Sequence, residues 1–207
     1  MIVFLLDEFH FGGLFMKVIP GSMGSRSKTD TPSWRENNEV IFFSLVSDGT
    51  TGRNWIRRLE YDGFRLGDDA KAILRSPLFV PTSQVRSHVA VIKGSLFREM
   101  ERTTKNVLAL ARKYKFSNPD PELICLTRKK FLDKDLADMG LFWLIGMHIP
   151  IKINGEQRLL GADRIEDRDG YGSFMVAYRG NPNARWDRDT GFLFKVSSQK
   201  ISLQGIR

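Results

Sequence analysis

The stretch 141–162 reads Leu141-Phe142-Trp143-Leu144-Ile145-Gly146-Met147-His148-Ile149-Pro150-Ile151-Lys152-Ile153-Asn154-Gly155-Glu156-Gln157-Arg158-Leu159-Leu160-Gly161-Ala162. Its decisive element is Asn154-Gly155. Both residues tolerate positive φ, which a two-residue turn between antiparallel strands requires. The apolar run before the pair and the mixed run after it are therefore expected as two arms of a hairpin, over 141–153 and 156–162. Pro150 cannot donate a ladder hydrogen bond, which puts an edge or a bulge near the end of the first arm.

Toward the C-terminus, a polar loop is expected over 163–172 and a strand over 173–179. The turn Asn181-Pro182-Asn183 and the polar 185–190 then precede a closing strand over 191–197. In the other direction the period changes. Over 101–115, Val107, Leu110, Ala111 and Tyr114 fall on one helix face, while Arg102, Lys105, Arg112, Lys113 and Lys115 fall on the other. Asn118-Pro119-Asp120-Pro121 breaks that helix and opens another over 122–131. A short helix over 133–139 ends at Gly140, a left-handed cap. Nearer the start, Thr51 caps a helix carrying Trp55, Ile56 and Leu59, and Asp62-Gly63 ends it. Asp68 and Asp69 suit the positive end of a second helix, with Ala70, Ile73 and Leu74 inward. Strands are expected at 40–46 and 88–94. Mid-chain helices followed by antiparallel strands make the fold class α+β. The expectation is a single domain over 39–200, with a helical section about 51–139 lying on one side of a mostly antiparallel, sheet-rich section about 141–197. Residues 1–38 are expected to be a poorly ordered lead-in with a flexible linker at 21–30, and Met16 offers a second start.

Composition narrows the classes. The chain has 207 residues, 42% hydrophobic and 27% charged, which are ordinary globular values. They exclude wholesale disorder, a collagen-like repeat and a disulfide miniprotein. Cys125 is the single cysteine, so no intramolecular disulfide can form, and Leu123, Ile124 and Leu126 mark it as a buried apolar thiol. No apolar run approaches the roughly 20 residues of a membrane helix. Asp7 and Glu8 interrupt the apolar start where a signal peptide would continue. A cytoplasmic protein without a membrane partner is expected.

The net charge of +8 is unevenly placed. Residues 1–50 carry −2, residues 51–130 carry +9 and residues 131–207 carry +1. A basic helix face can displace counterions from a phosphate backbone, and a solvated surface is the plain alternative. Arg57, Arg58, Lys105, Arg112 and Lys113 are the candidate phosphate contacts. The two short helices across Asp62-Gly63 also fit the outline of a helix-turn-helix.

Catalytic patterns are thin. One cysteine and three scattered histidines, His10, His88 and His148, make no closed zinc site. No phosphate-binding glycine loop and no nucleophile elbow occurs. His148 is the candidate acid–base residue, helped by Glu156 or Arg158 across the hairpin, which would suit hydrolysis of RNA; a buried, satisfied histidine is the alternative. Asp163, Glu166, Asp167, Asp169, Asp187 and Asp189 offer hard oxygen ligands. Their spacing does not follow a calcium loop, and Arg164, Arg168, Arg185 and Arg188 interleave with them. No metal and no cofactor is expected. Trp186, with Arg185 and Asn183, stands in the 181–190 loop as a candidate partner contact.

The strings Thr51-Gly52-Arg53-Asn54-Trp55-Ile56-Arg57-Arg58-Leu59-Glu60, Met147-His148-Ile149-Pro150-Ile151 and Asn181-Pro182-Asn183-Ala184-Arg185-Trp186-Asp187-Arg188-Asp189-Thr190-Gly191-Phe192 resemble a family of bacterial hypothetical proteins over roughly 51–197. That resemblance implies one coherent unit and no activity. The loop with Asn181-Pro182-Asn183 and Trp186-Asp187 before Gly191-Phe192 also resembles the end of a C-type-lectin-like fold, which implies binding through that loop. The disulfide pair of such folds is missing, and the loop is short. The expected function is a non-catalytic binding protein whose basic helical face meets an acidic partner, nucleic acid first. A protein- or ligand-binding module and an RNA hydrolase are the alternatives.

Overall fold

The computed structural model describes residues 33–167 and 170–197. His10, Met16, the 21–30 stretch and Asp169 lie outside them. The elements in chain order are β1 (Arg35–Asn37), β2 (Val40–Asp48), α1 (Gly52–Tyr61), β3 (Arg65–Leu66), α2 (Asp68–Arg75) and β4 (Ser83–Lys93). Two 3-10 turns follow at Gly94–Leu96 and Glu99–Glu101. Then come α3 (Thr104–Lys113), α4 (Glu122–Lys130), α5 (Asp133–Asp138), β5 (Trp143–Gly146), β6 (Ile151–Ile153), β7 (Glu156–Asp167), β8 (Gly170–Arg179) and β9 (Thr190–Val196). This is an α+β fold on one mostly antiparallel sheet.

The strand order is β1-β2-β4-β9-β5-β7-β8-β3, with β6 also paired to β7. Among the described strands only β5–β9 and β3–β8 run parallel. The late strand β9 therefore sits mid-sheet, between β4 and β5. The hairpin turn at Asn154-Gly155 forms as expected, with φ of 50° and 85° and Ile153 facing Glu156. The expected polar loop at 163–172 is instead the far half of a ribbon, with β7 and β8 paired from Arg158↔Arg179 to Asp167↔Gly170. Charged residues do not stop a strand whose faces can reach water or a partner.

The first hairpin arm also differs from one continuous strand. Ile145 faces Gly161 and Ile151 faces Arg158, so residues 146–150 stand opposite only Leu159 and Leu160. The chain bulges out of the ladder through His148 and Pro150. Next to this break, Ser117 pairs with Lys195 in both directions at 2.9 Å, beside the end of β9. The chain between α3 and α4 crosses the plane of the sheet there.

That crossing explains the layering. Neighbouring strand residues alternate between two buried clusters. Ile41, Val89, Val91 and Leu193 pack with Trp55, Ile56, Leu59, Ile73, Leu74, Ile124 and Leu136 of α1, α2, α4 and α5. Val40, Ala90, Ile92, Phe192 and Phe194 pack with Val107 and Ala111 of α3. Each large aliphatic group removed from water contributes roughly 1.5–3 kcal/mol, so both faces hold the sheet. The helices were expected on one side; α3 covers the other. The two are called the α1 face and the α3 face below.

Local signals place the helices. The Thr51 side chain accepts from Asn54 N–H at the start of α1. A Cβ on Gly52 would lie 1.7 Å from the Leu74 carbonyl oxygen, so only glycine lets α1 start against α2. Between these helices β3 pairs with β8, and both apolar faces are buried, so the outline of a helix-turn-helix is not realised.

Candidate functional site

The segment 102–119 contains five basic residues and no Asp or Glu. It folds as α3 because Thr103 caps it, accepting from Asn106 N–H at 3.4 Å. Its first free N–H groups are also taken: Thr104 N–H donates to Ala184 O at 3.1 Å and Lys105 N–H to Pro182 O at 2.9 Å. Val107 and Ala111 are buried against the sheet, which turns Lys105, Arg112 and Lys113 outward, all exposed. Arg112 and Lys113 in the last turn also suit the negative end of the helix. Lys115 follows at φ 55°, exposed as well. Among the described residues none of these four cations has a carboxylate partner.

Arg57 and Arg58 do not join them. They lie on α1, across the sheet. Arg58 is 2.8 Å from Asp48 and stacks over the Trp55 ring at 5.2 Å. Arg57 is exposed. The five expected phosphate contacts are therefore split two and three between opposite faces. A charge count along the chain cannot register that a sheet stands between two helices.

Several cations of the α1 face are paired within the fold. Asp48 also accepts from Lys129 at 3.1 Å, Lys71 pairs with Glu60 at 2.7 Å, and Arg158 pairs with Asp69 at 3.0 Å. Burial raises the Asp48 carboxyl, but hydrogen bonds from Thr50, Arg58 and Lys129 outweigh it, and the group lies well below the usual carboxylate range. Fully buried Arg128 holds Asp133, donates to Phe131 O and Ser173 Oγ at 3.1 Å each, and lies over the Phe64 ring at 5.0 Å. Burial pushes this guanidinium below its usual value, and Asp133 opposes the shift. In the sequence Arg128 looks like one more member of the run Arg128-Lys129-Lys130, so nothing there marks it as buried.

No known family model, curated protein or solved structure matches the chain.

His148 has a different task from the one its sequence context suggests. It is 2% exposed. Its Nδ1–H donates to Ile149 O at 2.7 Å, and its Nε2 accepts from Leu160 N–H at 2.8 Å. A backbone N–H can only donate, so the ring is neutral with its proton on Nδ1. Burial also lowers its pKa. The imidazole supplies the acceptor that the β5–β6 bulge withdraws from β7. Glu156 and Arg158 pair with each other at 2.9 Å and do not reach it. A shallow groove of about 330 Å³ near the hairpin is lined by Glu156, Gln157, Arg179, Gly180, Asn181 and Pro182, not by His148.

The 181–190 loop is docked, not free. Trp186 is half-buried, with edge contacts to Tyr178 and Phe192 at 5.6 and 5.8 Å. Its Nε1–H donates to Thr104 Oγ1 at 3.0 Å. Arg185 bridges to Thr103 in the backbone and reaches Met100 Sδ at 3.7 Å, and Asn183 is exposed in a turn closed by Asn181. The loop thus caps and props α3. Among the described residues no three His, Cys, Asp or Glu side chains gather as a metal set. Asp163 is instead buried with the Tyr178 hydroxyl donating to it, and desolvation raises its carboxyl. Cys125 is fully buried, and burial pushes its thiol up. No described helix is long and apolar enough to cross a membrane.

Proposed function

We propose that the protein is a non-catalytic binding protein whose α3 face takes an acidic partner, nucleic acid first. One observation carries the reading: Lys105, Arg112, Lys113 and Lys115 share one acid-free segment and have no carboxylate partner among the described residues. Cations that satisfy no carboxylate within the fold are available to displace counterions from a phosphate backbone. Arg58 is engaged by Asp48 and Arg57 faces the other way, so the contacts assigned are Lys105, Arg112 and Lys113.

The test is fluorescence anisotropy with a labelled oligonucleotide between about 50 and 200 mM salt. Affinity should fall steeply with salt. Replacing all three residues by Gln should reduce the slope of log affinity against log salt by about 2–3. Absent or salt-independent binding by the parent protein would sink the reading.

A further inference from the structure

The α3 helix leaves part of its own face uncovered. On that face, beyond Phe42 and Ala90, stand Ser44 and Val46 of β2 and Arg86 and His88 of β4. They form direct cross-strand pairs, Ser44↔His88 and Val46↔Arg86. Arg86 and Val46 are exposed and His88 is half-buried. Arg35, exposed on the neighbouring β1, lies over the Phe42 ring at 5.8 Å. Phe116, the residue after Lys115, meets the same Phe42 ring edge-on at 6.3 Å, which brings the end of α3 beside this strip. The only carboxylates on β1, β2 and β4 are Glu36 and Asp48. Glu36 is held by Lys93, and Asp48 is held by Arg58 and Lys129 of the α1 face. Among the described residues the strip is therefore cationic, with no carboxylate of its own, and it continues the charge of α3 along the sheet.

Its distinguishing feature is a ring. The His88 Nδ1 lies 2.8 Å from Ser44 Oγ, which fixes the plane of the imidazole. Its Nε2 edge has no partner among the described residues. A held, half-buried ring among cations suits an unpaired base next to its phosphate, whereas the bases of a duplex are already stacked inside it. We infer that this strip, Arg35, Arg86 and His88 beside Lys113 and Lys115, is a track for single-stranded nucleic acid with His88 as a stacking platform. The inference rests on the α3 reading and specifies its ligand.

The test compares a labelled oligo(dT) of about 12 nucleotides, within the usual single-strand site size, with a duplex of the same length and with polyglutamate. The parent protein should prefer the single strand. His88→Ala should weaken single-strand binding about 5- to 160-fold, the factor of one stacked base, while His88→Phe retains most of it and duplex binding changes less than about twofold. Arg86→Gln should lower the single-strand salt slope by about 0.7, and it carries the test should His88→Ala fail to melt like the parent. His88→Ala binding like the parent, or equal binding of duplex, overturns the track and leaves the α3 reading standing. Preference for polyglutamate also overturns it and points to an acidic protein. Absence of salt-sensitive binding overturns both.

Discussion

The two faces of the sheet use the same residue types for opposite ends. On the α1 face, Arg58, Lys71, Lys129, Arg128 and Arg158 each meet a carboxylate. On the α3 face, Lys105, Arg112, Lys113 and Lys115 meet none among the described residues. The acids, not the bases, make the difference: Asp48, Glu60, Asp69 and Asp133 all serve the α1 side. Among the described residues, the paired cations lie on the α1 side and the unpaired α3 cations on the other. A basic residue on the first side should matter for folding, and one on the second for binding.

The sharpest way to break this contrast is Arg128→Met. It strips Asp133 and Ser173 of a buried partner and should cost about 3 kcal/mol in urea unfolding, as for other broken buried pairs. Retention of parental stability would mean that the α1 face does not depend on its pairs. His148→Ala should come next. It leaves Leu160 N–H unpaired in the core and opens a void, a loss of about 2–3 kcal/mol read from the same unfolding curve. The parent should also lose stability on acidification. The folded His148 value lies below the ordinary 6.5, so below about that pH the unfolded chain binds the extra proton. A melting-temperature profile from pH 7 to 5 should slope downward, and His148→Gln should flatten it.

Trp186→Ala tests whether the 181–190 loop is a prop for α3. Half-buried and hydrogen-bonded to Thr104, this residue should contribute about 2 kcal/mol to stability. Unchanged stability with loss of a partner would favour the loop as a contact surface. The smallest effects belong to the surface. Asp48→Asn removes the charge that Arg58 and Lys129 share, and their side chains are 35% and 40% exposed beside its own 34%, so thermal melting should register about 1 kcal/mol or less. Gln at Lys105, Arg112 or Lys113, taken singly, should each change stability by about 0.5 kcal/mol or less.

What was legible in the chain was local. Thr51, Asp68 and Gly140 mark helix ends, and Asn154-Gly155 marks a hairpin, because each acts within a few residues of itself. The α3 period was readable for the same reason. The face it would cover was not, since that depends on Ser117 finding Lys195 far along the chain. The very short β1 and β3 exist only because β2 and β8 pair with them. Lys105, Arg112 and Lys113 could be picked out by charge, but separating them from Arg57 and Arg58 required the sheet. His88 looked like the start of a strand, and only the register with Ser44 makes it a held ring.

The position of β9 has a further consequence, for the order of folding. Among the described residues it is the only in-sheet link between the β1-β2-β4 half and the β5-β7-β8 half. Its residues follow nearly all of their partners in the chain, so the sheet cannot close until a late segment has been synthesised. The contacts it makes with β4 span about a hundred residues, and closing such loops must precede any reward from pairing. Until then, both half-sheets expose an edge strand, β4 and β5, to whatever else is nearby. Slow, concentration-sensitive refolding is the expected signature of a sheet closed by its last strand.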